Sequence, residues 1–135
     1  MKKIYSKDGE LLHAIVKKSD FAENRIDVSP ENEFLQLAML KFDSGRKFKP
    51  HKHIFHEKTT NIAQESWIVV EGQVKAHLYD LNDEVAECVL LDPGDVSITF
   101  RGGHTYEIMK DNTLVYEYKT GPYLGQEFDK VFLDD

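Results

Sequence analysis

Residues 45–72 read GRKFKPHKHIFHEKTTNIAQESWIVVEG, and the fold and chemistry expected of the chain turn on this stretch. His51, His53 and His56 fall within it, followed by Glu65 and a Trp-Ile-Val-Val run that ends at Gly72. Side chains on a β-strand alternate faces with a period of two, so His51 and His53 point the same way if the segment is extended. Two imidazoles from one strand and a carboxylate returning on the next are the elements of a metal site inside a β-barrel. The remaining sequence must then supply the barrel and a further ligand.

Outward from this stretch the chain reads as short strands. Residues 1–20 form a hairpin, with Ile4-Tyr5, a Lys-Asp-Gly-Glu turn at 7–10, and Leu11–Val16. Residues 20–32 are polar, contain Ser29-Pro30 and read as a loop. FLQLAMLKF at 34–42 has helix-favouring residues but no polar stripe, and a strand is expected there. Further strands are expected at 66–71, 73–81, 85–91, 96–100, 105–109 and 113–119, separated by Gly, Pro and Asn turns. In 73–81, Val74, Ala76 and Leu78 share one face, and Lys75, His77 and Tyr79 share the other. This pattern predicts an all-β, antiparallel fold. The tail 121–135 retains Tyr123, Phe128, Val131, Phe132 and Leu133, which must pack on the body of the fold or on a partner.

Composition narrows the partners. With 135 residues the chain is long enough for one domain with its own core. Lys and Arg number 17 against 24 Asp and Glu, a net charge of −7 with no basic run. Nucleic acid and anionic membrane are therefore not expected as partners. Cys88 is the single cysteine, which rules out an intrachain disulfide and suits a reducing compartment. The first residues lack the apolar stretch of a signal peptide, so a cytoplasmic location is expected.

Residues 45–72 resemble the first motif of the cupin superfamily: Gly45, five residues, His51 and His53, then Glu65, six residues and Gly72. Asp92-Pro93-Gly94-Asp95 with His104 resembles the second. Together the resemblance spans roughly 34–118. Departures are eleven residues between His53 and Glu65, Phe100 in place of the motif's proline, a short Gly102–His104 gap, and Ile108 where Asn is usual. Residues 54–64 then read as an insertion, and Glu57 as a competing but less suitable carboxylate. The resemblance implies an antiparallel double-sheet jelly-roll barrel with His51, His53, Glu65 and His104 as ligands to a divalent transition metal, Zn, Fe, Mn or Ni. Such an ion would act as a Lewis acid on a bound substrate.

Tyr106 shares a face with His104 and is a candidate proton donor, or alternatively an aromatic filling the interior. His56 reads as a loop residue, His77 as outward-facing and His13 as surface. Lys47, Lys49, Lys52, Lys58 and Arg101 place positive charge around the motifs and suit an anionic ligand. The leading expectation is a metal-binding cupin that isomerises or epimerises a small, anionic, carbohydrate-like metabolite. YEYKTGPYLGQEFDK at 116–130 is similar to small cupins of bacterial surface-polysaccharide synthesis. Three alternatives stay open: an Fe(II) dioxygenase, a metal-free isomerase with histidine acid and base, and a non-catalytic binding module. Edge strands and the apolar tail favour a homodimer.

Overall fold

The computed structural model describes residues 1–22 and 24–134. Among the described residues ten strands form three antiparallel sheets, and the only helical pieces are two short 3-10 turns at Lys18–Asp20 and Gln126–Phe128. The fold is all-β, as the turn-separated pattern predicts. The hairpin β1 (Lys2–Tyr5) and β2 (Leu11–Val16) opens the chain. The ribbon β3 (Arg25–Asp27) and β4 (Ala38–Leu40) follows. Then come β5 (Glu65–Glu71), β6 (Val74–Tyr79), β7 (Val85–Leu91), β8 (Val96–Thr99), β9 (His104–Ile108) and β10 (Leu114–Lys119). The large sheet has the order β1-β2-β8-β5-β10 and the smaller one β7-β6-β9.

Two cores follow from the pleat. Ile4, Ile15 and Val69 of the large sheet meet Val74, Ala76, Leu78 and Leu91 of the smaller sheet. On the opposite face of the large sheet, Ala14, Val16, Val96, Ile98 and Phe100 meet Val28 and Leu37 of the ribbon region. Strands β2 and β8 are thus covered on both faces, which is why LLHAIV and VSIT are buried almost throughout. The 73–81 segment behaves as its alternation predicts, with Val74, Ala76 and Leu78 fully buried.

Two expectations need correction. The 20–32 loop contains β3, a three-residue strand with little apolar content of its own that is held by pairing with β4. In 34–42 only Ala38–Leu40 form a ladder. The period-two logic nevertheless holds, because Leu35, Leu37 and Met39 all turn to the second core. Backbone bonding ahead of β4 is taken over by Ser29, whose Oγ accepts from Leu37 N–H and donates to the Leu35 carbonyl, both at 2.8 Å.

Gly72, at the tip joining β5 to β6, has φ +83°. A Cβ there would come within 2.7 Å of Thr113 Cα, so both conformation and space demand glycine. The tail touches the body through Lys119–Asp129 at 3.4 Å and through Leu133 against Gly103. Tyr123, Leu124, Phe128, Val131 and Phe132 remain exposed, and Asp135 lies outside the described residues.

Phe100, fully buried in the second core, provides a direct check on this packing. Phe100→Ala is expected to lower unfolding free energy by about 3–5 kcal/mol, measured by urea denaturation. A loss below about 1 kcal/mol would mean that the second core does not exist as described.

Candidate acid–base site

The strand registers assemble two rows of side chains on the inner face of the large sheet. In one row Lys119 pairs with Glu65, Glu65 with Thr99, and Thr99 with His13. In the next, Glu117 pairs with Trp67, Trp67 with Ser97, and Ser97 with Ile15. Directly paired residues point to the same face, so four strands converge on one interior. From the smaller sheet, β9 presents His104 and Tyr106 toward these rows.

The central contact is between Glu65 and His104, whose Oε2 and Nε2 lie 2.5 Å apart across the two sheets. The carboxylate only accepts, so the imidazole Nε2 carries the proton. His104 Nδ1 is buried and meets no hydrogen-bond partner among the described residues. Burial alone would raise the Glu65 carboxyl, but the hydrogen bond and charge of His104, with Lys119 nearby, outweigh it and hold Glu65 below the usual carboxylate range. The side chains are 12% and 25% exposed, so solvent reaches the pair mainly along His104.

Around this pair the interior is filled. Trp67 and Tyr106 stack with centroids 3.9 Å apart and an interplanar angle of 13°. Trp67 Nε1 donates to Glu117 Oε1 at 2.9 Å. The Tyr106 hydroxyl lies 3.4 Å from Ser97 Oγ. Burial pushes the Tyr106 phenol well above its ordinary value, with Glu65 and Glu117 adding to the effect. Tyr106 therefore stays protonated and serves as a neutral hydrogen-bond donor.

His13 is fully buried at the end of the first row, a correction to its reading as a surface residue. Its Nε2 donates to the Tyr79 carbonyl and its Nδ1 accepts from the Thr99 hydroxyl, both at 2.9 Å. His13 thereby ties β2 and β8 to the end of β6. Its position inside the apolar run LLHAIV was the available signal, since a strand buried on both faces has no polar side for a histidine. Thr99, Trp67, Glu117 and Lys119 were also passed over in the sequence. Thr99 and Lys119 sit opposite Glu65 across the ladders, Trp67 lies two residues from Glu65 on the same strand, and Glu117 is opposite Trp67.

The histidines of the opening motif are elsewhere. Residues 41–62 are all exposed and contain no strand or helix. The extended strand expected at His51 and His53 does not form, because a lysine-rich segment that buries nothing has no sheet to join. Their rings lie 5.5 Å apart, and His51 Nδ1 sits 3.1 Å from the Lys49 carbonyl of the same segment. His56 is likewise exposed. Glu65 and His104 thus come together, while His51 and His53 stay on the surface. Among the described residues no group of three or more His, Cys, Asp or Glu is placed to hold a metal. As arranged, Glu65 and His104 supply two donors, short of the three protein ligands usual in a catalytic zinc site.

His77 lies on the outer face of the smaller sheet as expected, 3.1 Å from Glu107 and 3.3 Å from Cys88 Sγ. Two surface grooves, of about 490 and 440 Å³, are lined by neither Glu65 nor His104. No helix among the described residues is long and apolar enough to cross a membrane. Compared with known proteins, the chain matches no family model, no curated protein and no solved structure.

The buried His13 has a thermodynamic consequence. Burial pushes its pKa down to about 4, against a smaller upward pull from the Tyr79 carbonyl. An unfolded imidazole titrates near ~6.5, so below that pH the unfolded chain takes up a proton that the folded chain refuses. Stability is expected to fall as pH drops from ~6.5 to about 4, by on the order of 3 kcal/mol in total. Glu65 acts in the same direction: its depressed pKa contributes stability above ~4.3 that is lost as pH falls through its folded value. Urea unfolding across this window, with the His13 imidazole followed by NMR, checks the assignment. A His13 ring that protonates above pH ~6 would refute it.

Proposed function

We propose that the chain is a single-domain jelly roll of cupin type that binds a small, anionic, carbohydrate-like metabolite beside the Glu65–His104 pair and moves a proton on it. The observation that supports this is the contact across the sheets, with Glu65 on one nitrogen of His104 and no hydrogen-bond partner on the other among the described residues. A carboxylate that receives Nε2–H fixes the tautomer, leaves the Nδ1 lone pair free to accept a proton, and stabilises the imidazolium that forms. That is the equipment for abstracting the acidic proton next to a sugar carbonyl and returning it, the core step of an isomerase or epimerase. Tyr106 supplies a neutral donor for a substrate oxygen. Lys119 on the same row and the lysines of 47–58 at the surface favour phosphorylated or nucleotide-linked sugars.

Proton exchange tests this step without knowledge of the final product. Phosphorylated and nucleotide-linked keto sugars are incubated with the protein in D2O, and loss of the proton adjacent to the carbonyl is followed by NMR. His104→Ala is expected to slow exchange by about 10²–10⁴-fold. Glu65→Gln should slow it less, since the imidazole remains but loses its charged partner. Exchange by the wild type that His104→Ala leaves unchanged would remove the pair from the mechanism. No exchange with any such sugar would favour the non-catalytic binding module.

A second reading rests on the convergence of one carboxylate oxygen and one imidazole nitrogen. Those two donors would form one side of a Zn, Fe, Mn or Ni site if His51 and His53 folded in from the exposed segment. It predicts near-stoichiometric metal in the purified protein that is lost on changing both His51 and His53 to Ala. Iron together with oxygen uptake on adding substrate would single out the dioxygenase form. Wild-type protein free of metal after purification under metal-replete conditions would count against the whole reading.

A further inference from the structure

Strand β10 closes one edge of the large sheet, with β5 on one side and no strand on the other among the described residues. Its inner face is committed: Val115 packs into the first core, Glu117 accepts from Trp67, and Lys119 pairs with Asp129. Its outer face carries Leu114, Tyr116 and Tyr118, which are 43%, 59% and 39% exposed. The region that covers β2 and β8 also reaches the outer face of β5, at Ile68 and the fully buried Ser66, the partners of Tyr116 and Tyr118, but leaves Tyr116 and Tyr118 themselves exposed. An open edge with a row of aromatic residues beside it is a template for strand addition. No proline or edge-facing lysine protects it, and the bulge of this pair is accommodated in β5 at Val70, leaving β10 regular.

We infer that this edge pairs with the same edge of a second copy of the chain, antiparallel about a two-fold axis through Tyr116. The strand's own symmetry singles out this occupant. A two-fold axis normal to the sheet keeps outer faces together, so each outer residue must meet another outer residue. Centred on Tyr116, Leu114 meets the other copy's Tyr118 and Tyr116 meets its own equivalent. Val115 then meets Glu117, and no like charges are opposed. Centring on Glu117 would set two carboxylates directly opposite, which is destabilising. Centring on Val115 would leave Tyr118 without a partner. Only the Tyr116 register covers the whole apolar row, and it joins two five-stranded sheets into one of ten. The inference does not depend on the proton-transfer reading, because every residue it uses on the outer face lies away from the Glu65–His104 pair.

Light scattering on the full chain gives the first test. The wild type is expected at twice the chain mass of 15.6 kDa, and Tyr116→Lys, a surface change, at the single-chain mass with an unaltered circular dichroism spectrum. Disulfide trapping gives the second. Residues facing each other on antiparallel strands have Cα atoms ~4.5–5.5 Å apart, within reach of a disulfide. In a Cys88→Ser background, Tyr116→Cys should form a covalent dimer on mild oxidation, whereas Val115→Cys should not. A wild type that stays at 15.6 kDa up to millimolar concentration overturns the proposal, and so does a dimer that Tyr116→Cys fails to cross-link.

Discussion

The position of β8 between β2 and β5, with His13 opposite Thr99 and Thr99 opposite Glu65, is the constraint from which the rest of the structure follows. A slip of one residue in either ladder would exchange the two faces. Ile98 and Phe100 would then point at the smaller sheet, and Ser97 and Thr99 at the ribbon. Both cores would lose their apolar contacts at once. Burial on two sides makes this register the most heavily specified feature of the chain, and it places a polar row inside an otherwise apolar interior.

That polar row depends on mutual satisfaction. Thr99 bonds His13, His13 bonds the Tyr79 carbonyl, and Glu65 bonds His104. A buried polar group without a partner costs on the order of 1–3 kcal/mol, so each link justifies its neighbour. The exception, His104 Nδ1, therefore stands out from its surroundings. Ser66 Oγ is also unpartnered, but it lies on the face turned away from this interior, where β5 meets the second core. Of the two, only the histidine nitrogen belongs to a ring held by an ionisable partner.

Much of the architecture was legible because it rests on short-range rules. The Asp8-Gly9 hairpin, the alternation in β6 and the Pro93-Gly94 turn carry their geometry in adjacent residues. Glu65 and His104 were picked out by the spacing of the motifs they resemble and not by alternation, and each opens a strand, β5 and β9. The failures share a cause. Whether His51 and His53 join a sheet depends on whether a distant edge accepts them, and nothing within KPHKH encodes that edge. His13 was misplaced because a strand buried on both sides shows no alternation, so its polar residue resembled a surface one. β3 escaped notice because three residues of mixed polarity are ordered by their partner β4 and not by their own propensity.

The stacking of Trp67 on Tyr106 has a further consequence. Trp67 is the only tryptophan in the chain, and it lies one strand repeat from Glu65 with its indole N–H held by Glu117. The tryptophan fluorescence of the protein therefore originates next to the Glu65–His104 pair. Anything that enters beside His104, displaces Tyr106 or alters the charge of Glu65 changes the surroundings of that one indole. The molecule carries its own optical reporter at the position where its chemistry would take place.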